Sequence, residues 1–226
     1  MNPNAAADRL LALALPVLGH EPALTHSAPA DARRAFVLTF ADEWGHRRAI
    51  DTPLTASIVN LDPADLGFAP ASLAERLWNA LPDPQRATSD LHRLAASSGP
   101  LLGHLNPAAI EPDTAEELAS LHALWSIAHT PSLAPSLPPR DTLRHRVELA
   151  ARWLLDHIQP DNATHDPWAA HVFLALAPHL PDAALYADTL LHNARVGSGL
   201  PSRRAAAILL HAARSLNHET RPSLAP

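Results

Sequence analysis

Fifteen of the 226 residues are histidine. Imidazole titrates closest to neutral pH and is the commonest nitrogen ligand of metals, so the first question is whether these side chains cluster. Two histidines on one helix chelate an ion best at i,i+4. No pair here has that spacing, nor H-x-H or H-x-x-H. The nearest pairs are His20/His26, His165/His171, His122/His129 and His211/His218. A seven-residue gap keeps one helical face but separates the side chains by two turns, about 10 Å. No metal site is therefore expected. The tightest local group is His165, Asp166, Trp168 and His171, inside WLLDHIQPDNATHDPWAAHVFLAL at 153–176. Asp166, directly before Pro167, reads most simply as a helix N-cap. His122, His171 and His211 fall on three separate segments rich in alanine and leucine. With Trp125, His165 and Trp168 they could line one groove, apolar with a few polar groups, which is the usual form of a ligand site. The alternative, and the preferred one, is that they are core or interface histidines with satisfied ring nitrogens.

Other chemistry is sparsely marked. G-x-x-x-x-G-K-S/T, G-x-G-x-x-G and G-x-S-x-G are missing, and there are seven glycines and no cysteine. Thiol nucleophiles, disulfides and cysteine-based zinc or iron–sulfur sites are thereby excluded. Asp42-Glu43 and Glu116-Glu117 are paired only in sequence, since helix neighbours point in different directions. Arg33-Arg34, Arg47-Arg48 and Arg203-Arg204 could hold phosphate. Arg203 and Arg204 are the best placed, in the first turn of a helix, whose dipole favours anions; solvated pairs would need no ligand. No catalytic residue and no cofactor is assigned.

The charged residues comprise 17 basic side chains, all arginine, and 23 acidic ones, for a net charge of −6. That balance argues against nucleic acid, which needs a basic face, and against an anionic membrane surface. No apolar run is long enough to span a bilayer. The opening MNPNAAADRLLALALPVLG has a short apolar core, but Asp8 beside Arg9 and the interrupting Pro16 fit a first helix better than a leader. A cytoplasmic protein is expected. The arginine-only, alanine-rich composition fits a GC-rich bacterial genome.

Hydrophobic residues make up 47% of the chain and aromatic ones 4%. Alanine and leucine favour helices, and β-branched residues are few. Thr52-Pro53, Asp62-Pro63, Asp83-Pro84, Asn106-Pro107 and Asp166-Pro167 each set a capping side chain before a proline. Proline drives the preceding residue out of the α region and itself fits the first helical position. This punctuation predicts helices at 4–18, 53–61, 70–80, 84–97, 114–129 (capped by Asp113), 141–158, 167–179, 182–195 and 201–216. Residues 35–51 are ambiguous. Phe36, Leu38 and Phe40 alternate as in a strand, with Glu43-Trp44-Gly45 as a hairpin turn. Ala32, Phe36, Phe40 and Trp44 also share one helical face, the slightly favoured reading. A linker at 97–112 divides a mainly helical unit, 1–98, from a C-terminal unit, 113–216, with a tail at 217–226.

In the second unit, helices apolar on every side alternate with one-faced helices. A helix apolar all round must be surrounded. Two layers follow: inner helices 114–129, 167–179 and 201–216 backed by outer helices 141–158 and 182–195, the logic of a helical-hairpin repeat. Trp153, Leu154, Leu155, Gln159 and Asp161, then Trp168 and Phe173–Ala177, resemble the repeat of α/α-toroid proteins, the fold of squalene–hopene-type terpene cyclases and prenyltransferase β subunits. Gly197–Pro201 followed by Ala205–Ala213 resembles the next lead-in and inner helix. The likeness covers roughly residues 114–216 and implies architecture only. There is no D-x-D-D cluster, the Asp/Cys/His zinc set cannot form without cysteine, and Asn162 stands where the repeat has glycine. The expected protein is all-α, with a partial toroid or solenoid in its C-terminal half. It is expected to act as a non-catalytic module that binds another protein or itself. The alternative is a small-molecule binder or enzyme using the His/Trp groove.

Overall fold

A computed structural model describes residues 2–25, 27–160, 165–195 and 199–220. Among them are ten α-helices and no strand. The helices are α1 (Pro3–Leu18), α2 (Ala30–Thr39), α3 (Asp51–Ile58), α4 (Leu73–Asn79), α5 (Thr88–Ala95), α6 (Ile110–Ala128), α7 (Arg140–His157), α8 (Ala170–Leu176), α9 (Ala183–Asn193) and α10 (Arg203–Thr220). No helix among the described residues is long and apolar enough to cross a membrane.

The capping prolines act in three different ways. Asp62, Asp83 and Asn106 open short 3-10 turns, each side chain accepting the N–H two residues on, from Ala64, Gln85 and Ala108. Thr52-Pro53 lies inside the first turn of α3. Asp166 is not a cap: α8 begins at Ala170, and the Asp166 carboxylate instead takes the Arg48 guanidinium at 2.9 Å. A charge-assisted bond outcompetes a cap. Asp113 is likewise no cap. Helix α6 starts at Ile110, and Asp113 reaches back to accept the Asn106 N–H at 2.6 Å. A Ser72–Glu75 capping box opens α4.

The helical reading of 35–51, slightly favoured over a possible hairpin, holds as far as Thr39, and no hairpin strands form. Helix α2 holds Phe36 and Val37 in the core and ends at Thr39. Phe40 continues as buried extended chain. A turn follows in which the Asp42 carboxylate accepts the Trp44 and His46 N–H groups, with Gly45 at φ +82°. Trp44 therefore faces solvent, 68% exposed, rather than extending the helical face. One side chain, Asp42, replaces the strand pairing that a hairpin would need.

One connected set of buried side chains runs from Ala6 to Leu216. Helix α1 lays the stripe Ala6, Ala7, Leu10, Ala14 and Leu18 along α10, its principal neighbour. Sequential helices pack in pairs, α7 against α6 and α9 against α8. The partners of α10 are α1, α3 and α8, while α4 packs on α6. N-terminal helices thus cover the apolar helices of the C-terminal half.

Two buried polar devices fix this arrangement. Asp51, at the start of α3, is fully buried and receives Arg204 from α10 through Nε at 2.8 Å and Nη2 at 2.9 Å. Asp42 lies 3.7 Å from the same guanidinium. Burial lowers the Arg204 pKa, but the Asp51 hydrogen bonds and the charges of Asp51, Asp166 and Asp42 outweigh it and hold the pKa above its ordinary value. Asp166 is pushed up by burial, against the pull of Arg48 and Arg204. The second device is Glu117 on α6. Buried, with its pKa raised by burial, it accepts the Leu101 and Leu102 N–H groups at 2.6 and 2.9 Å. Arg146 on α7 donates to the Gly99 and Pro100 carbonyls. The stretch expected as a linker is therefore pinned to α6 and α7. Gly99, at φ +76°, lets the chain pass against the Trp153 ring.

Candidate ligand site

Three apolar helices do bring the three histidines together. His122 comes from α6, His171 from α8 and His211 from α10. The His122 ring centroid is 4.1 Å from that of His171 and 5.1 Å from that of His211. Trp78, on α4, is wedged beside them, 5.0 Å from His122, 4.6 Å from His211 and 5.5 Å from Trp168. Its indole Nε1–H donates to the Ala119 carbonyl at 3.0 Å. Trp168 completes the cluster at 5.7 Å from His122. His122 and His171 are fully buried, whereas His211 is 7% exposed. The group is thus a packed cluster with one member at its edge, rather than a lined groove.

That edge opens on a pocket of about 650 Å³ between the C-terminal end of α3, the C-terminal end of α6 and α10. The size suits a small organic ligand. Its polar wall is Arg33, Ser57, Ser126, His129, His211, Arg214 and Ser215, and its apolar wall includes Leu24, Ile58, Val59 and Leu81. No Asp or Glu is among the described lining residues.

The hydrogen bonds leading there have a fixed direction. The Ala169 N–H can only donate, and it faces His122 Nδ1 at 3.4 Å. Burial, then the neighbouring His171 and His211, holds the His122 pKa well below 6.5, so the ring is neutral. With Nδ1 accepting, its hydrogen sits on Nε2. That N–H donates to His211 Nδ1 at 3.0 Å. His211 in turn presents Nε2–H to Ser57 Oγ at 3.1 Å. The Ser57 hydroxyl accepts from the chain and has its own hydrogen to give. A base activating a serine would need a lone pair on the facing nitrogen; here that nitrogen carries the hydrogen. Ala169, which supplies the first donor of this chain, adopts φ +56°, a conformation L-residues rarely visit.

Two arginines share the pocket. Arg214 Nη1 donates to the Ile58 carbonyl, and Arg33 Nη1 to the Val59 carbonyl at 3.3 Å. Both satisfy carbonyls at the end of α3, where cations are favoured. Burial alone lowers the Arg214 pKa. Arg33 Nε is shielded from solvent and has no hydrogen-bond partner among the described residues. Among the described residues neither guanidinium meets a carboxylate within ion-pair distance. Ser126 and Ser215 differ from Ser57, since their hydroxyls already donate to the His122 and His211 carbonyls.

The remaining expected site residues lie as follows. Trp125 is buried, its ring tilted over His129 at 4.0 Å and perpendicular to that of His171 at 5.9 Å. The ring nitrogens of His171 and the indole nitrogen of Trp125 have no hydrogen-bond partner among the described residues. His165 is exposed and outside the cluster. Trp168 also borders a second, shallower cleft of about 190 Å³ that holds Arg48, Glu75 and Glu116. Arg203 is held by Glu21 at 2.6 Å and lies over the Phe40 ring at 5.0 Å, and Arg204 is held by Asp51. Their charges are already matched, so the anion reading of that pair is not supported. Among the described residues no group of three or more His, Asp or Glu side chains is arranged to hold a metal ion; the side chain of His218 lies outside the described residues, as do His26, Asp161, Asn162 and residues 196–198.

Trp78, Ser57 and Arg214 were not singled out by sequence reasoning. Arg214 and Ser215 carried a usable signal, standing three and four residues after His211 and so on its helical face. Ser57 and Trp78 carried none, because only the packing of α3 and α4 on the C-terminal helices brings them in. Comparison with protein-family models, with curated proteins and with solved structures gives no match.

Proposed function

We propose that this chain is a recognition domain that binds a small molecule in the pocket between α3, α6 and α10. The observation carrying this reading is the chain from Ala169 through His122 and His211 to Ser57. A buried network of that kind is costly unless fully satisfied, and it fixes its members rigidly. Here it orients one hydroxyl at a pocket wall. This is the small-molecule alternative drawn from the sequence, moved from a groove among the histidines to the pocket at their edge. The test is ligand-observed NMR with fluorinated, uncharged, fragment-sized compounds, on the wild type and on Ser126→Trp, which obstructs the pocket from the wall of α6. Binding that Ser126→Trp abolishes is expected. If no fragment binds in a way sensitive to that change, the pocket is not a ligand site.

The reading as a module for another protein or for self-association rests on exposed apolar side chains. Leu185 is 70% exposed, Trp44 68%, Leu15 47% and Leu38 46%. Sedimentation across a concentration series, with Trp44→Ser as comparison, addresses it; a monomer at every concentration removes self-association. The alternation of surrounded and one-faced helices supports a two-layer repeat for α6–α9, also as a proposal. The net charge of −6 supports a partner that is neither nucleic acid nor an anionic membrane.

A further inference from the structure

Resting on the pocket reading above, we infer that the polar end of this pocket is a phosphate subsite, formed by Arg33, Arg214 and the Ser57 hydroxyl. The ligand class is then a small organic phosphomonoester.

The first argument is charge. The chain carries −6 overall, yet this pocket gathers two guanidinium groups with no described carboxylate on its wall. Elsewhere Arg204 is matched by Asp51, Arg76 by Asp90 and Arg86 by Asp62, while the buried Arg146 rests on the Gly99 and Pro100 carbonyls within the electrostatic reach of Glu117. Capping α3 uses one donor of Arg214 and one of Arg33. Each guanidinium carries five N–H donors in a fork suited to phosphate oxygens.

The second argument is direction. With the tautomers set by the Ala169 N–H, His211 gives its hydrogen to Ser57, and the Ser57 O–H is left free to donate. Donation is what an oxyanion needs. A negative charge beyond Ser57 strengthens each bond behind it, through His211 and His122 to the Ala169 N–H, because chained hydrogen bonds polarise one another. The third argument is room. The pocket, at about 650 Å³, exceeds what an inorganic ion fills, and Leu24, Ile58, Val59 and Leu81 offer an apolar wall for an organic body. Two guanidinium forks and a hydroxyl exceed what the two oxygens of a carboxylate can accept in one plane.

The test is titration of ¹⁵N-labelled protein with inorganic phosphate, phenyl phosphate and benzoate, at pH 7.5 and at ionic strength held constant with chloride. The imidazole nitrogens of His211 and His122 and the arginine Nε groups are observed. Saturable shifts at His211 are expected for both phosphates, with phenyl phosphate binding more tightly. Arg214→Gln and Arg33→Gln should each weaken binding by about tenfold or more, the scale of a lost charge-assisted bond, while Arg214→Lys loses less. Ser57→Ala should weaken binding and uncouple the His211 shift. Amide spectra confirm that each variant is folded, and Arg33→Gln carries the test should Arg214→Gln disturb the end of α3. Shifts that stay linear in phosphate and are unchanged in both glutamine variants would overturn the inference, as would tighter binding of benzoate. Fragment binding sensitive to Ser126→Trp without a phosphate response leaves the pocket standing and removes the subsite. Failure of both removes both.

Discussion

Lowering the pH is the most direct perturbation of the histidine cluster. His122 and His171 are both fully buried, and burial, followed by the charges of neighbouring histidines, holds their pKa values well below 6.5. In the unfolded chain both titrate near 6.5. As pH falls, the unfolded state therefore takes up protons that the folded state refuses. The stability these groups contribute is complete above pH 6.5 and is lost below it, toward their folded pKa values. A ring that stays neutral costs on the order of 1 kcal/mol for each pH unit below 6.5, and the two rings add in the same direction. Glu117 and Asp166, both raised by burial, act in the opposite sense, because the folded state takes their protons first. The quantity to read is therefore a difference between wild type and His171→Leu. Urea unfolding followed by circular dichroism at pH 7.5 and 5.5 gives it. The variant should lose less than wild type over that interval, by on the order of 1 kcal/mol. At pH 7.5 it should also be more stable, by about 1 kcal/mol or more, because both His171 ring nitrogens lack a hydrogen-bond partner among the described residues. Equal losses in the two proteins between pH 7.5 and 5.5 would show that His171 is protonated when folded, and the account of the cluster would fall.

Asp51→Asn leaves the buried Arg204 with half its partner, and a loss of about 3–5 kcal/mol is expected in urea unfolding; a loss below 1 kcal/mol would mean that solvent reaches the pair. Glu117→Gln can accept from only one of the Leu101 and Leu102 N–H groups, so one of these amides should exchange with deuterium markedly faster, read by NMR. Trp78→Phe removes the bond to the Ala119 carbonyl and should cost about 1 kcal/mol or more, with indole fluorescence reporting its loss. With 15 histidines the net charge rises steeply between about pH 7 and 5, and light scattering should show altered assembly or solubility in that window; a flat profile contradicts it.

The helices were legible in the sequence because their signals are local. The predicted 4–18 and 141–158 fall within two residues of α1 and α7. The apolar-all-round character of 114–129, 167–179 and 201–216 marked the helices that end up surrounded. Misreadings occurred where a side chain found a distant partner. Asp166 looked like a cap until Arg48, more than a hundred residues earlier, claimed it. Alternation at Phe36, Leu38 and Phe40 suggested a strand, but the core takes Phe36 from a helix and Phe40 from extended chain, leaving Leu38 46% exposed. The convergence of His122, His171 and His211 could be posed from their places on three apolar helices. Their sequestration could not, because Trp78 and the end of α3 close the cluster from a part of the chain whose pattern gives no hint of it.

The union of α1 with α10 bears on how the protein is made. The surface that receives Ala6, Leu10, Ala14 and Leu18 belongs to the last described helix. During synthesis at 5–20 residues per second, the interval from Leu18 to Arg203 lasts roughly 10–40 s. For that time α1 exposes an apolar stripe with its principal partner still unmade. Asp51 waits as long for Arg204, a charged group whose burial makes sense only once the pair forms. The chain therefore cannot complete its core progressively from the ribosome. It must close in a late, long-range step, which makes the nascent protein a natural client for a holding chaperone.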